Sequence, residues 1–182
     1  MNMRTLMLLI AFVWAGLSAH SQVTKVSLQA SGLTCSMCSK AVQNALQNVP
    51  FVARVQVDIK NQQYNLTFKE GAVPDFDALG KAVDDAGFSV ASMKVTATLP
   101  AAETLQKDEH VQIGGQYFHF LNANKQQLEG SVTFSLVDKA FVTAKEFKKY
   151  SSLSKMACVQ TGRAAACCAK GEAEARIYHA II

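Results

Sequence analysis

The chain has 182 residues, 49 % of them apolar and 18 % charged, a balance that fits one or two small globular domains and excludes a disordered tail. Eighteen Lys and Arg against fourteen Asp and Glu leave a net charge of +4, spread along the chain with no long run of one sign. The basic stripe of a nucleic-acid binder is missing, so nucleic acid is not expected as a partner.

Arg4 precedes an uncharged run from Leu6 to Leu17, and Ala19 and Ser21 supply small residues where a leader would be cut. This reads as a secretory signal peptide over residues 1–21, since the run falls short of the roughly 20 apolar residues of a membrane span. The competing reading is an uncleaved anchor. The mature chain is expected to be exported, periplasmic or secreted, with no membrane span after cleavage. All five cysteines lie in that mature part. Export permits disulfides, but an odd count cannot be paired off within one chain.

Residues 22–96 read as one domain. Val26, Leu28 and Ala30 alternate as a strand face, and Ser31-Gly32 opens a loop that carries Cys35. From Cys38, Val42, Ala45, Leu46 and Val49 recur at helical spacing before Pro50. Val55, Val57 and Ile59 alternate, as do Tyr64, Leu66 and Phe68, with Asn61-Gln62-Gln63 as the turn between them. Asp75 is the expected N-cap of a second helix with Phe76, Leu79, Val83 and Ala86 buried and Gly87 as its stop. Phe88, Val90 and Val95 supply a last strand. The order β-α-β-β-α-β predicts an α+β, ferredoxin-like domain.

Residues 97–108, with Pro100 and small residues, read as a linker. Beyond it, residues 109–182 are expected to form a small β-rich C-terminal domain of unknown role. Val111–Leu121 and Ser131–Val142 have strand character, Gly114-Gly115 and Asn122–Gly130 act as breakers, and Ala175–Ile182 is a terminal strand. Thr143–Tyr150 reads as one or two helical turns with Lys145, Lys148 and Lys149 on a solvated face.

Cys35 and Cys38 carry the chemistry. The first lies on a loop and the second in the opening turn of a helix, where unpaired N–H groups and the helix dipole favour thiolates. Thiolates bind soft metals and attack disulfides, so metal binding and thiol–disulfide exchange both follow. Two sulfurs without a nearby His or carboxylate suit a low-coordinate soft ion such as Cu(I) better than Zn(II), which usually takes four ligands. Thr34, rather than an aromatic residue, precedes Cys35, which weighs against the exchange reading.

Gly32-Leu33-Thr34-Cys35-Ser36-Met37-Cys38, followed by Val42, resembles the Gly-Met-Thr-Cys-x-x-Cys signature of the heavy-metal-associated domain family of copper chaperones, metal-pumping ATPase modules and periplasmic mercury-binding proteins. The resemblance spans Lys25 to Val95 and includes Gly87-Phe88. It implies a metal site at Cys35 and Cys38, supported by Gly32, Leu33, Thr34 and Phe88, with Phe88 as a lid. Leu33 departs from the family's usual Met, a nearly volume-conserving change at a residue that anchors the loop. The uncharged Thr34 resembles the copper-type site. Cu(I) is therefore the favoured ion, with Hg(II), Cd(II) and Zn(II) as alternatives. Met37 reads as an exposed or loop-packing side chain ahead of a third ligand. The implied mechanism is thiolate ligand exchange with a metal-donor or acceptor protein that has an exposed soft-metal site, with Lys40 and Lys81 flanking the docking face. No enzymatic activity is expected.

Cys158, Cys167 and Cys168 admit two readings of equal weight. One is a disulfide from Cys158 to either neighbour; the other is a second soft-metal site that could include Met156 or His179. His119, among Tyr117, Phe118 and Phe120, reads as a satisfied or exposed strand histidine, and His110 as part of the linker edge.

Overall fold

A computed structural model of the chain describes residues 21–164 and 174–182, so the expected signal segment lies outside the described residues except for Ser21, and Cys167 and Cys168 lie outside them too. Among the described residues, no helix is long and apolar enough to cross a membrane.

The first half has the anticipated order: β1 (Gln22–Ser31), α1 (Ser36–Gln47), β2 (Val52–Asp58), β3 (Gln63–Phe68), α2 (Phe76–Asp85) and β4 (Ser89–Leu105). In β1, Val23 and Val26 are both buried although an odd spacing separates them. A register shift between Val23 and Lys25 accounts for this, because one extra residue returns the strand to the same face. β2 ends at Asp58, whose carboxylate accepts hydrogen bonds from the Asn61 backbone N–H and side-chain amide. That closure pulls Ile59, expected on the strand face, into the turn, where it is 86 % exposed.

Helix α2 begins as its sequence dictates, with Asp75 accepting the Ala78 N–H at 3.1 Å. It ends in a Schellman motif: Gly87 N–H donates to Asp84 O, Phe88 N–H donates to Val83 O, and Gly87 takes φ +86°. The left-handed glycine turns the chain so that Phe88 arrives beside the cysteine loop.

The segment 97–108, expected as a linker, is strand as far as Leu105. β4 pairs with β1 on one side and, through Met93–Leu105, with β7 (Gln126–Leu136) on the other. A register shift between Leu99 and Glu103 absorbs Pro100, which cannot donate to the ladder. The expected breaker Asn122–Gly130 is likewise strand from Gln126 onward, where β7 begins. The remaining elements are β5 (His110–Ile113), β6 (Gln116–Phe120), α3 (Ala144–Ser151), α4 (Cys158–Thr161) and β8 (Ile177–Ile181). Gly114 and Gly115, both with positive φ, split the expected strand Val111–Leu121 into the β5–β6 hairpin. Thr143 and Glu146 form a capping box at the start of α3.

Both halves thus belong to one eight-stranded sheet, ordered β2-β3-β1-β4-β7-β8-β6-β5, in which, among the described residues, only the β6–β8 pair is parallel. A single large core spans them. Phe76 of α2 lies 4.9 Å from Tyr178 of β8 and 6.0 Å from Phe118 of β6, ring centre to ring centre. Phe118 and Phe120 in turn pack edge-on against Phe134 at 5.0 and 5.1 Å. A Cβ added to Gly80 would meet Phe141 at 3.2 Å, so α2 sits close against the second half.

Arg176 fastens the same seam. Its guanidinium donates to both oxygens of Asp77 at 2.7 and 3.0 Å and to Asp138 at 3.2 Å, and stacks on Tyr178 with 4.3 Å to the ring centre. Burial by itself would lower its pKa; the Asp77 hydrogen bonds and the Asp138 charge outweigh that, so the group is held charged. Replacing Arg176 by Ala is expected to cost about 2–3 kcal/mol, read as a lower urea midpoint at an unchanged m-value.

Candidate metal centre

Cys35 is the N-cap of α1, in extended backbone (φ −147°, ψ 159°), and its Sγ accepts the Cys38 backbone N–H at 3.2 Å. Ser39 N–H donates to Cys35 O, and the Tyr64 hydroxyl, buried under the loop, bonds Ser39 through both its hydroxyl and its carbonyl. The first turn of α1 carries no acidic residue. Both sulfurs therefore meet the positive end of a twelve-residue helix with no competing carboxylate.

The loop before them is fixed by backbone geometry. Gly32 adopts φ +81°, and a Cβ there would lie 3.9 Å from the Phe88 ring. Leu33 and Phe88 are half-buried against the core, while Thr34 and Cys35 are exposed and Cys38 is half-buried. Met37 is 78 % exposed. Cys35 and Cys38 are joined as a disulfide, with Cα atoms 5.3 Å apart. A groove of about 440 Å³ opens beside them, lined in part by Leu33, Cys35, Lys40, Val57, Ile59 and Tyr64. Lys81 is tied to Asp85 at 2.7 Å, leaving Lys40 as the lysine at the rim of that groove.

The second cysteine group is only partly described. Cys158 opens α4 and is fully buried in a smaller apolar cluster with Leu121, Val137, Val159, Ala164 and Ile177. This cluster covers the face of β6 and β8 opposite the aromatic core. His119 points into it and is fully buried rather than exposed; its Nδ1 meets Cys158, while its Nε2 has no hydrogen-bond partner among the described residues. Nothing local in the sequence shows that α4 packs over the face of β6 that carries Tyr117 and His119.

His110, expected at the linker edge, starts β5 directly opposite His119, and His119 lies directly opposite His179. Cys158 Sγ is 3.6 Å from His110 Nε2 and 3.7 Å from His119 Nδ1. Burial, and then the neighbouring His179 and His110, push the His119 pKa down to about 4, so the ring is neutral at physiological pH. Asp108 and Asp138 were missed in the sequence. Asp138 accepts the His179 N–H at 2.8 Å and contacts its Nδ1 at 2.9 Å, while Asp108, held by Ser154, lies 3.5 Å from His119 Nε2. Neither carboxylate sits in a motif with its partner, so no local spacing announces it.

Residues 27–89 match the heavy-metal-associated domain. The mercuric transport protein periplasmic component of Serratia marcescens is 36 % identical over 81 residues, covering 44 % of this chain and 86 % of that protein. Human copper-transporting ATPase 2 is 29 % identical over 86 residues, which is 47 % of this chain but only 6 % of the ATPase. Among solved structures, oxidized MerP from Ralstonia metallidurans CH34 is 32 % identical, with 39 % of this chain and 94 % of that one covered at a TM-score of 0.34. The chain belongs to the heavy-metal-associated domain family. It spans only 6 % of the length of the rat and human copper-transporting ATPases it matches.

Proposed function

We propose that the chain is an exported carrier of a soft metal, Cu(I) in the first place, held between reduced Cys35 and Cys38 and passed on by thiolate exchange. The observation that carries this reading is the exposed Cys-x-x-Cys at the uncharged N-terminal turn of α1. Two thiolates and one Cu(I) make a complex of net charge −1, which the helix end favours and which no nearby carboxylate opposes. Zn(II) would need further ligands, and Thr34 and Met37 offer no carboxylate or imidazole. Hg(II), the cargo in the name of the Serratia relative, is the alternative ion for the same pair.

Loading requires the disulfide to be opened. A dithiol reductant gives up two electrons and two protons to the pair and becomes a disulfide, leaving two thiols that lose their protons as the metal binds. Transfer then starts with a partner thiolate attacking the two-coordinate ion. A three-coordinate intermediate forms, and the exposed Cys35 is the sulfur that can leave first. The role is binding and delivery, with no catalytic group assigned. The export and periplasmic location rest on residues 1–21 and on the name of the Serratia relative.

The test is self-exchange. Reduced, Cu(I)-loaded chain is mixed anaerobically with metal-free chain labelled with nitrogen-15, and the labelled amides of the Cys35 loop are followed. Transfer should accelerate with acceptor concentration; a rate independent of the acceptor would mean release into solution and would contradict handover. The disulfide itself favours one second reading, thiol–disulfide exchange at the same pair. Multiple turnovers of a disulfide substrate, in place of stable metal uptake, would favour it.

A further inference from the structure

We propose that His110, His119 and Cys158 form a second metal site, a buried trigonal N2S centre for Cu(I) that is independent of the Cys35–Cys38 loop. Three elements converge to build it. The β5–β6 pairing sets His110 opposite His119, and α4 lays Cys158 across them. The three ligand atoms lie within 4.8 Å of one another. A metal bound at typical lengths of about 2.0 Å to nitrogen and 2.3 Å to sulfur, with angles near 120°, requires S···N separations of about 3.7 Å. The two observed separations are 3.6 and 3.7 Å. Both sulfur–nitrogen separations are thus already at the length a three-coordinate ion requires.

The surrounding groups supply what a metal-bound histidine usually has. His119 presents Nδ1 to the sulfur, and its Nε2 is turned toward Asp108, a carboxylate that would fix the ring's tautomer. Next in the row, His179 is 5.4 Å from His119, ring centre to ring centre, with Nδ1 held by Asp138. The Nε2 atoms of His119 and His179 are buried without a hydrogen-bond partner among the described residues.

Coordination number selects the ion. One thiolate and two imidazoles complete a three-coordinate Cu(I), whereas Zn(II) in the same set is left with an unfilled fourth position. The order Cys158, His119, Asp108 also resembles a nucleophile with its base and orienting acid, but the sulfur is fully buried, so no substrate could reach it.

The test uses the full chain carrying Cys35→Ser and Cys38→Ser, reduced and titrated anaerobically with Cu(I) against a competing chelator. One ion should remain bound, with X-ray absorption showing one sulfur and two nitrogens. Adding His110→Ala, a change at a half-buried position, should weaken that binding at least tenfold, and Cys158→Ser should abolish it. Circular dichroism confirms that each variant is folded. Loss of all copper from the Cys35→Ser/Cys38→Ser chain would overturn the site while leaving the carrier reading untouched. Undiminished binding after the His110 and Cys158 changes, or uptake of Zn(II) but not Cu(I), would overturn it equally.

Discussion

Cys35→Ser should weaken Cu(I) binding at the loop by on the order of a thousandfold, yet leave the stability of the fold unchanged. The two effects separate because Cys35 has two jobs. As a ligand it supplies one of two thiolates, and each ligand to a tightly held ion is worth a few kcal/mol. As the N-cap of α1 it accepts the Cys38 N–H, a role Ser fills at least as well. The comparison is made in a Cys158→Ser background so that the inner cluster does not compete. Copper affinity is read by chelator competition and stability by urea unfolding of the reduced chain. A variant that kept its copper would show that the loop is not the site, and one that unfolded at lower urea would show that Ser does not replace Cys35 as the cap.

Phe118→Ala should destabilise the entire molecule by about 3–5 kcal/mol. Phe118 is fully buried and meets Phe134, Tyr178 and Phe76, so it touches β7, β8 and α2 at once. With β4 running through both halves of the sheet, the loss cannot be confined to the C-terminal half. Calorimetry should show one transition, moved down by roughly 10 °C, and hydrogen exchange of β1 and β3 amides should accelerate in step. Two transitions, with only one displaced, would mean that the metal-binding half folds on its own.

Much of this was legible in the chain. Asp75 and Gly87 punctuate α2, and the Cys-x-x-Cys marks the start of α1, because caps and stops act through neighbours in sequence. The segment 97–108 was opaque for the opposite reason. Pro100 and the small residues signal a linker locally, while the β7 ladder that holds Leu99 to Leu105 in strand comes from residues far along the chain. Ile59 failed likewise, since the Asp58–Asn61 turn overrides its alternation. Cys158 stood out in the sequence as a candidate ligand, but His110 and His119 join it only through the β5–β6 register and the placement of α4.

The central claim is that Cys35 and Cys38 together hold the ion. Its most direct test is X-ray absorption at the copper edge on reduced Cys158→Ser chain loaded with one equivalent of Cu(I). Two sulfur neighbours and no nitrogen are the expected result. A shell with nitrogen or oxygen donors, or a single sulfur, would contradict it.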